Sequence, residues 1–141
     1  MTVDSIVINA SPEQVWAALL AGTGGWYFDN RIESSWVVGE PVTNYGPAGD
    51  IHIHGVVVAI EPQKRLVTTF RPVWVESVSG APTTEVEWRL TPIGPLTRVT
   101  LTHRGLPIQS PVATEIAEGW VYLLSNLKTV LETGKRMPPP V

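Results

Sequence analysis

The sequence predicts an α+β domain in which an antiparallel sheet of about seven strands is covered by one long C-terminal helix. Three observations carry this. Residues 34 to 104 hold almost nothing but strand and turn signals, and residues 110 to 132 hold a single amphipathic helix pattern. Between them Thr97-Arg98-Val99-Thr100-Leu101-Thr102-His103 reads as a strand that runs through Gly105-Leu106-Pro107 into that helix. Strands joined by short connections pair with their sequence neighbours and must bury one face, and a long helix with an apolar stripe can cover it.

Each element has its own local cause. Residues 3 to 9 are rich in Val and Ile and alternate loosely, which predicts a first strand. Ser11-Pro12-Glu13-Gln14 then supplies an N-cap, a proline in the first helical turn and a capping-box glutamine. The helix it opens sets Val15, Trp16, Leu19 and Leu20 on one face and ends at Gly22, and a second short helix is expected before the next strand. Six further strands are expected at Ser35 to Val38, Pro41 to Tyr45, Ile51 to Ile60, Leu66 to Trp74, Thr84 to Leu90 and Thr97 to His103. Gly39, Gly46-Pro47, Glu61-Pro62, Gly80-Ala81-Pro82 and Gly94-Pro95 punctuate them.

Alternation shows which face turns inward. Val86, Trp88 and Leu90 alternate with Glu85, Glu87 and Arg89, so the carboxylates are expected on a solvated strand face. Val99, Leu101 and His103 alternate with Arg98, Thr100 and Thr102, which puts His103 on the apolar side. Leu66, Thr68 and Phe70 share one side, and Gly55 is a candidate bulge in the strand before them. In the final helix Ser110 and Pro111 open, Thr133-Gly134 stops, and Val112, Ile116, Trp120, Leu123, Leu127 and Val130 form the stripe, with Leu124 and Leu131 beside it. One domain over residues 1–135 is expected, with a proline-rich tail at 136–141 that frays.

Composition narrows the functional classes. A formal charge of -3, with Lys64-Arg65 and Lys135-Arg136 as isolated pairs, offers no basic surface for nucleic acid. The chain has no cysteine, which removes disulfides, thiolate metal sites and a cysteine nucleophile, and fits a cytoplasmic setting. No run approaches the roughly 18 apolar residues of a membrane span, and no membrane partner is expected. Six tryptophans, at 16, 26, 36, 74, 88 and 120, are enough large rings to fill a core or line a pocket.

Several segments together resemble a known group: Ala10-Ser11-Pro12-Glu13-Gln14-Val15-Trp16, Val56 to Phe70 with Ile60-Glu61-Pro62 and Arg65-Leu66-Val67, Thr97 to Leu106, and Gly119-Trp120 with Leu127 and Leu131. Their order resembles the helix-grip fold of START-like (SRPBCC) proteins. Within it, the chain is similar to the family of homologues of the activator of heat-shock-protein ATPase. The resemblance implies a deep cavity between sheet and helix, and the family's name implies a chaperone partner. Relatives on this fold also include cyclases and aromatases.

The residues themselves favour binding over catalysis. Gly22-Thr23-Gly24-Gly25 lacks the lysine and helix start of a phosphate loop, and no spacing selects a Ser-His-Asp triad. No catalytic residue is therefore assigned and no cofactor is expected. His52, His54 and His103 are numerous enough for a metal site, yet only Asp50 adjoins them, and no metal is expected. Asp29, Arg31 and Glu33 would gate a cavity entrance or keep that loop soluble. The leading expectation is a hydrophobic or aromatic small molecule held by Phe70, Trp74, Trp88, His103, Trp120 and Leu124. The alternative is a cyclase-like enzyme with His103 as acid/base, assisted by Thr68 or Tyr27, and a homodimer is expected from the low charge. Gly119, costly inside a helix, needs a reason: close helix-to-sheet contact or room beside Trp120.

Overall fold

The computed structural model describes residues 1–21, 25–73, 83–106 and 111–138, with Val112 through its backbone only. Strands β1 (Thr2–Ile8), β2 (Arg31–Ser34), β3 (Pro41–Tyr45), β4 (Ile51–Glu61), β5 (Arg65–Pro72), β6 (Thr84–Ile93) and β7 (Leu96–Arg104) form one antiparallel sheet. Their order is β1-β7-β6-β5-β4-β3-β2, so the last six run as a meander and β1 joins beside β7. Helix α1 (Pro12–Ala21) lies on the path from one sheet edge, β1, to the other, β2. Helix α2 (Pro111–Thr133) follows β7 and is about 35 Å long.

Several expected caps and turns are present, while the Gly22 helix stop, the Gly80-Ala81-Pro82 turn and the Ser110 N-cap lie outside the described residues. Ser11 and Gln14 form a reciprocal capping box, with Ser11 N donating to Gln14 Oε1 at 2.9 Å and Gln14 N to Ser11 Oγ at 3.2 Å. A two-residue hairpin joins β6 to β7, where Ile93 pairs with Leu96 and Gly94 takes the positive φ (57°) that such a turn requires. Gly134, at φ 77°, ends α2 and donates its N–H to Val130 O at 2.8 Å.

Four expectations need correction. The strand expected at Ser35 to Val38 lies instead at Arg31–Ser34, because Trp36 adopts φ 57° and takes the chain out of extended geometry. Among the described residues one short helix, not two, precedes β2. Gly25 to Asn30 turns, with Phe28 N bonded to Gly25 O and Asn30 N to Tyr27 O. Gly55 is not the bulge: the register of β4 skips at His52 and at Val58. Gly55 is needed instead because a Cβ there would strike the backbone oxygen of Thr69. Glu87, expected on a solvated face, is only 4% exposed. Arginines from three adjacent strands, Arg65, Arg89 and Arg104, close over its carboxylate.

The core lies between the sheet and the two helices. Ile8, Val15, Leu19, Leu90, Val99, Leu101 and Leu127 fill it together with four tryptophans. Trp26 meets Trp88 edge to face at 5.8 Å between centroids, and Trp88 meets Trp120 at 5.9 Å. Asn126 is a fully buried polar residue on α2, and its side chain satisfies three backbone groups. Its Nδ2 donates to the oxygens of Gly25 and Trp26, while its Oδ1 accepts from Met137 N. That last bond, with the Arg136–Asp29 ion pair at 2.6 Å, folds residues 136 and 137 back onto the domain instead of leaving them to fray. Among the described residues no helix is long and apolar enough to cross a membrane.

Candidate ligand cavity

Two voids open between α2 and the sheet. The larger, about 360 Å³, has walls of Phe70, Ile116, Gly119, Trp120 and Leu123, and it falls within the roughly 300–1,000 Å³ usual for small-molecule sites. A smaller void of about 70 Å³ adjoins it, and the two share Tyr27, Ile53, Phe70 and Trp120. Gly119 lines the larger void, and a Cβ built there meets no atom of the described residues within 4 Å. Close packing of helix on sheet is therefore not the reason for this glycine, and open space beside Trp120 is.

One end of the cavity is polar. Asn30 Nδ2 donates to Asn44 Oδ1 at 2.9 Å and makes a longer contact to His52 Nδ1 at 3.4 Å. His52 Nε2 lies 3.2 Å from Asp50 Oδ2. Burial pushes the Tyr27 phenol well above its ordinary range, and Asn44 offsets only part of that. The register skip at His52 produces this arrangement, because Asn44 opposes Ile53 while Tyr45 opposes Ile51, and a bulge re-aims the extra side chain. Gly46 makes room for it, since a Cβ at that position would overlap the His52 ring.

His103 occupies a different place from the cavity. It is fully buried beneath Trp120 and does not line either void. Trp120 Nε1 donates to His103 Nδ1 at 2.9 Å, so Nδ1 carries no proton and Nε2 does. Nε2 then donates to Thr84 Oγ1 at 2.5 Å, and that hydroxyl donates to Phe70 O at 3.2 Å. The expected threonine partner, Thr68, is replaced by Thr84, which pairs opposite Phe70 in the sheet. Burial, reinforced by the N-terminal ammonium, lowers the imidazole to about 4, so the ring stays neutral.

The remaining sequence candidates divide by depth. Phe70 and Trp120 line the larger void, Trp88 lines the smaller one, and Leu124 is buried in the core without lining either. Trp74 lies outside the described residues. Arg31 and Glu33 sit on β2, paired with each other, with Arg31 4.5 Å over the Tyr45 ring; Asp29 pairs with Arg136. None of these three lines a cavity. Among the described residues no three His, Asp or Glu side chains converge as a metal site would need. Sequence reasoning overlooked Asn30 and Asn44, for which the single available signal was two polar residues close to an aromatic cluster.

A seven-stranded antiparallel sheet packed against one long terminal helix defines the helix-grip class of START-like proteins. Residues 9–132 match the family described as Activator of Hsp90 ATPase homolog 1-like protein, and the chain belongs to that family. A protein from Colwellia psychrerythraea, described in solution as the Aha1 dimer, is 27% identical with a TM-score of 0.76, over 96% of this chain and 99% of that one. CalU16 from Micromonospora echinospora shares the fold at 23% identity and TM-score 0.76, over 96% of this chain and 76% of that one. DynU16, from the dynemicin biosynthetic locus, shares it at 22% identity and TM-score 0.78, over 96% of this chain and 48% of that one. No curated protein matches the sequence.

Proposed function

We propose that this domain binds a hydrophobic or aromatic small molecule between the sheet and α2, without chemical turnover, in the cytoplasm. The observation that carries the reading is Gly119. A glycine inside a helix costs about 1 kcal/mol relative to alanine, and this one secures no close contact, only open volume in a cavity of about 360 Å³. Phe70 and Trp120 offer ring surfaces to the ligand, while Trp88, His103 and Leu124 support them from beneath, and Trp74 is retained as a contact on sequence grounds alone.

His103 favours binding over catalysis. Both ring nitrogens are committed to protein partners, and a general base must reach the proton it removes. A homodimer is a second part of the proposal, supported by the Colwellia psychrerythraea relative described as a dimer. The family's name offers a chaperone partner, but the cavity gives the small-molecule reading precedence.

Native mass spectrometry of the purified protein tests both parts at once, since it reads retained ligand and subunit number. A retained mass lost in Gly119→Leu, which fills the cavity, is the expected result. A wild-type protein that neither retains nor takes up any aromatic compound would sink the reading.

A further inference from the structure

We infer that the polar end of this cavity selects an uncharged aromatic ligand carrying a hydroxyl group, and rejects carboxylates. The inference rests on the cavity being a ligand site and specifies what enters it. The hydrogen bonds and the lining residues set the polarity of this end. Asn30 spends its amide hydrogens on Asn44 Oδ1 and His52 Nδ1, which leaves its own carbonyl oxygen as an acceptor. Tyr27, whose hydroxyl can both donate and accept, lines the larger void together with Asn30, so its polar end offers a hydroxyl donor and an amide acceptor. A hydroxyl satisfies both at once, accepting from Tyr27 and donating to Asn30.

Charge excludes the anionic alternative. No lysine or arginine lines the void, and the residues outside the described set contain neither. Among the described residues the one carboxylic acid in the wall is Glu115, exposed on the first turns of α2, and Asp50 stands behind His52. With His52 neutral, a carboxylate in this space would meet the Glu115 carboxylate and the Asn30 carbonyl, and no cation among the described residues would neutralise it. A buried anion without a partner is expelled. The walls of Phe70, Ile116, Trp120 and Leu123 supply the aromatic preference.

Three probes of one shape separate the claims: 2-naphthol, 2-naphthoate and 2-methylnaphthalene, titrated above the ordinary imidazole range and followed by the indole N–H signals in protein NMR. The naphthol is expected to bind about three- to ten-fold more tightly than the hydrocarbon, the range one hydrogen bond provides, and the naphthoate more weakly than either. Tyr27→Phe is expected to erase the naphthol preference, so that 2-naphthol and 2-methylnaphthalene bind alike. Glu115→Lys, on an exposed position that tolerates change, is expected to admit the naphthoate. Equal or tighter binding of naphthoate by the wild type, or a naphthol preference that survives Tyr27→Phe, overturns the inference and leaves the cavity reading intact. Failure of all three probes to bind overturns both.

Discussion

Trp120 donates its indole N–H to Nδ1 of His103 at 2.9 Å, and this single bond fixes the tautomer, the charge and the role of the histidine. The chain from Trp120 through His103 and Thr84 to Phe70 O uses each hydrogen once. It joins α2 to β7, β6 and β5, and two of its members, Trp120 and Phe70, are cavity walls. The histidine therefore acts on the site by holding its walls in place.

Protonating His103 at Nδ1 would break that bond, which gives stability a pH dependence of known sign. The folded imidazole is lowered from 6.5 to about 4. The corresponding stability is fully present above pH 6.5, falls as pH drops through that window, and is gone below about 4. The amount at stake is on the order of 3 kcal/mol. His103→Phe is expected to cost about 2 kcal/mol at neutral pH, mostly from the orphaned indole, and to flatten the dependence across this window. Urea denaturation of both proteins at several pH values measures it; an unchanged slope in the variant would assign the effect elsewhere.

Glu87 acts in a lower window. Burial alone would raise its carboxyl, but hydrogen bonds from Arg104 at 2.7 Å, Arg65 at 3.0 Å and Arg89 at 2.8 Å hold it at about 2. A depressed carboxylate stabilises the fold above its unfolded value of 4.5, and that contribution is lost as pH falls towards 2. With the arginines partly exposed and screened, it amounts to about 1–2 kcal/mol. Glu87→Gln is expected to lower stability by that amount at neutral pH and by nothing near the acid limit. Acid-induced unfolding followed by tryptophan fluorescence distinguishes the two proteins.

Periodicity made the fold legible. Alternation in β6 and β7 gave the inward set Val86, Trp88, Leu90, Val99, Leu101 and His103, all of them buried, and the stripe on α2 gave Ile116, Trp120, Leu127 and Val130. What escaped was whatever depends on departures from a regular period. A bulge at His52 sends a strand side chain towards Asn30, and no pattern within β4 announces it. Glu87 alternates as a surface residue should, and its burial comes from Arg65 and Arg104 on the neighbouring strands and Arg89 on its own. Asn126 lies among apolar helix positions because backbone from residues 25, 26 and 137 comes to it.

The β4–β5 turn carries avoidable strain. Lys64 N bonds Glu61 O at 2.9 Å, Pro62 takes the first central position and Gln63 the second, at φ 64°. A proline followed by a positive φ is the pattern of a type II turn, which favours glycine at the second place. A side chain there costs roughly 1–2 kcal/mol, part of which glycine returns through its greater freedom in the unfolded chain. Gln63→Gly is expected to stabilise by about 0.5–1 kcal/mol, whereas Gln63→Ala is expected to be neutral. Thermal denaturation of the pair decides it: equal midpoints would show that the turn is unstrained.

Gly119 sets stability against binding in one substitution. A methyl group at this position meets no atom of the described residues within 4 Å, and Gly119 lines the larger void. Alanine should therefore gain nearly the full helix-propensity difference, about 1 kcal/mol, with no steric penalty in the ligand-free protein. The same methyl group occupies volume beside Trp120 that a bound ring would need. Gly119→Ala is expected to denature at a higher urea concentration than the wild type and to bind aromatic probes several-fold more weakly. Gly119→Leu should extend the loss of binding further while remaining folded. Parallel denaturation and probe titrations on the three proteins separate the effects, and a variant that gained stability without losing affinity would place the ligand away from this face of the helix.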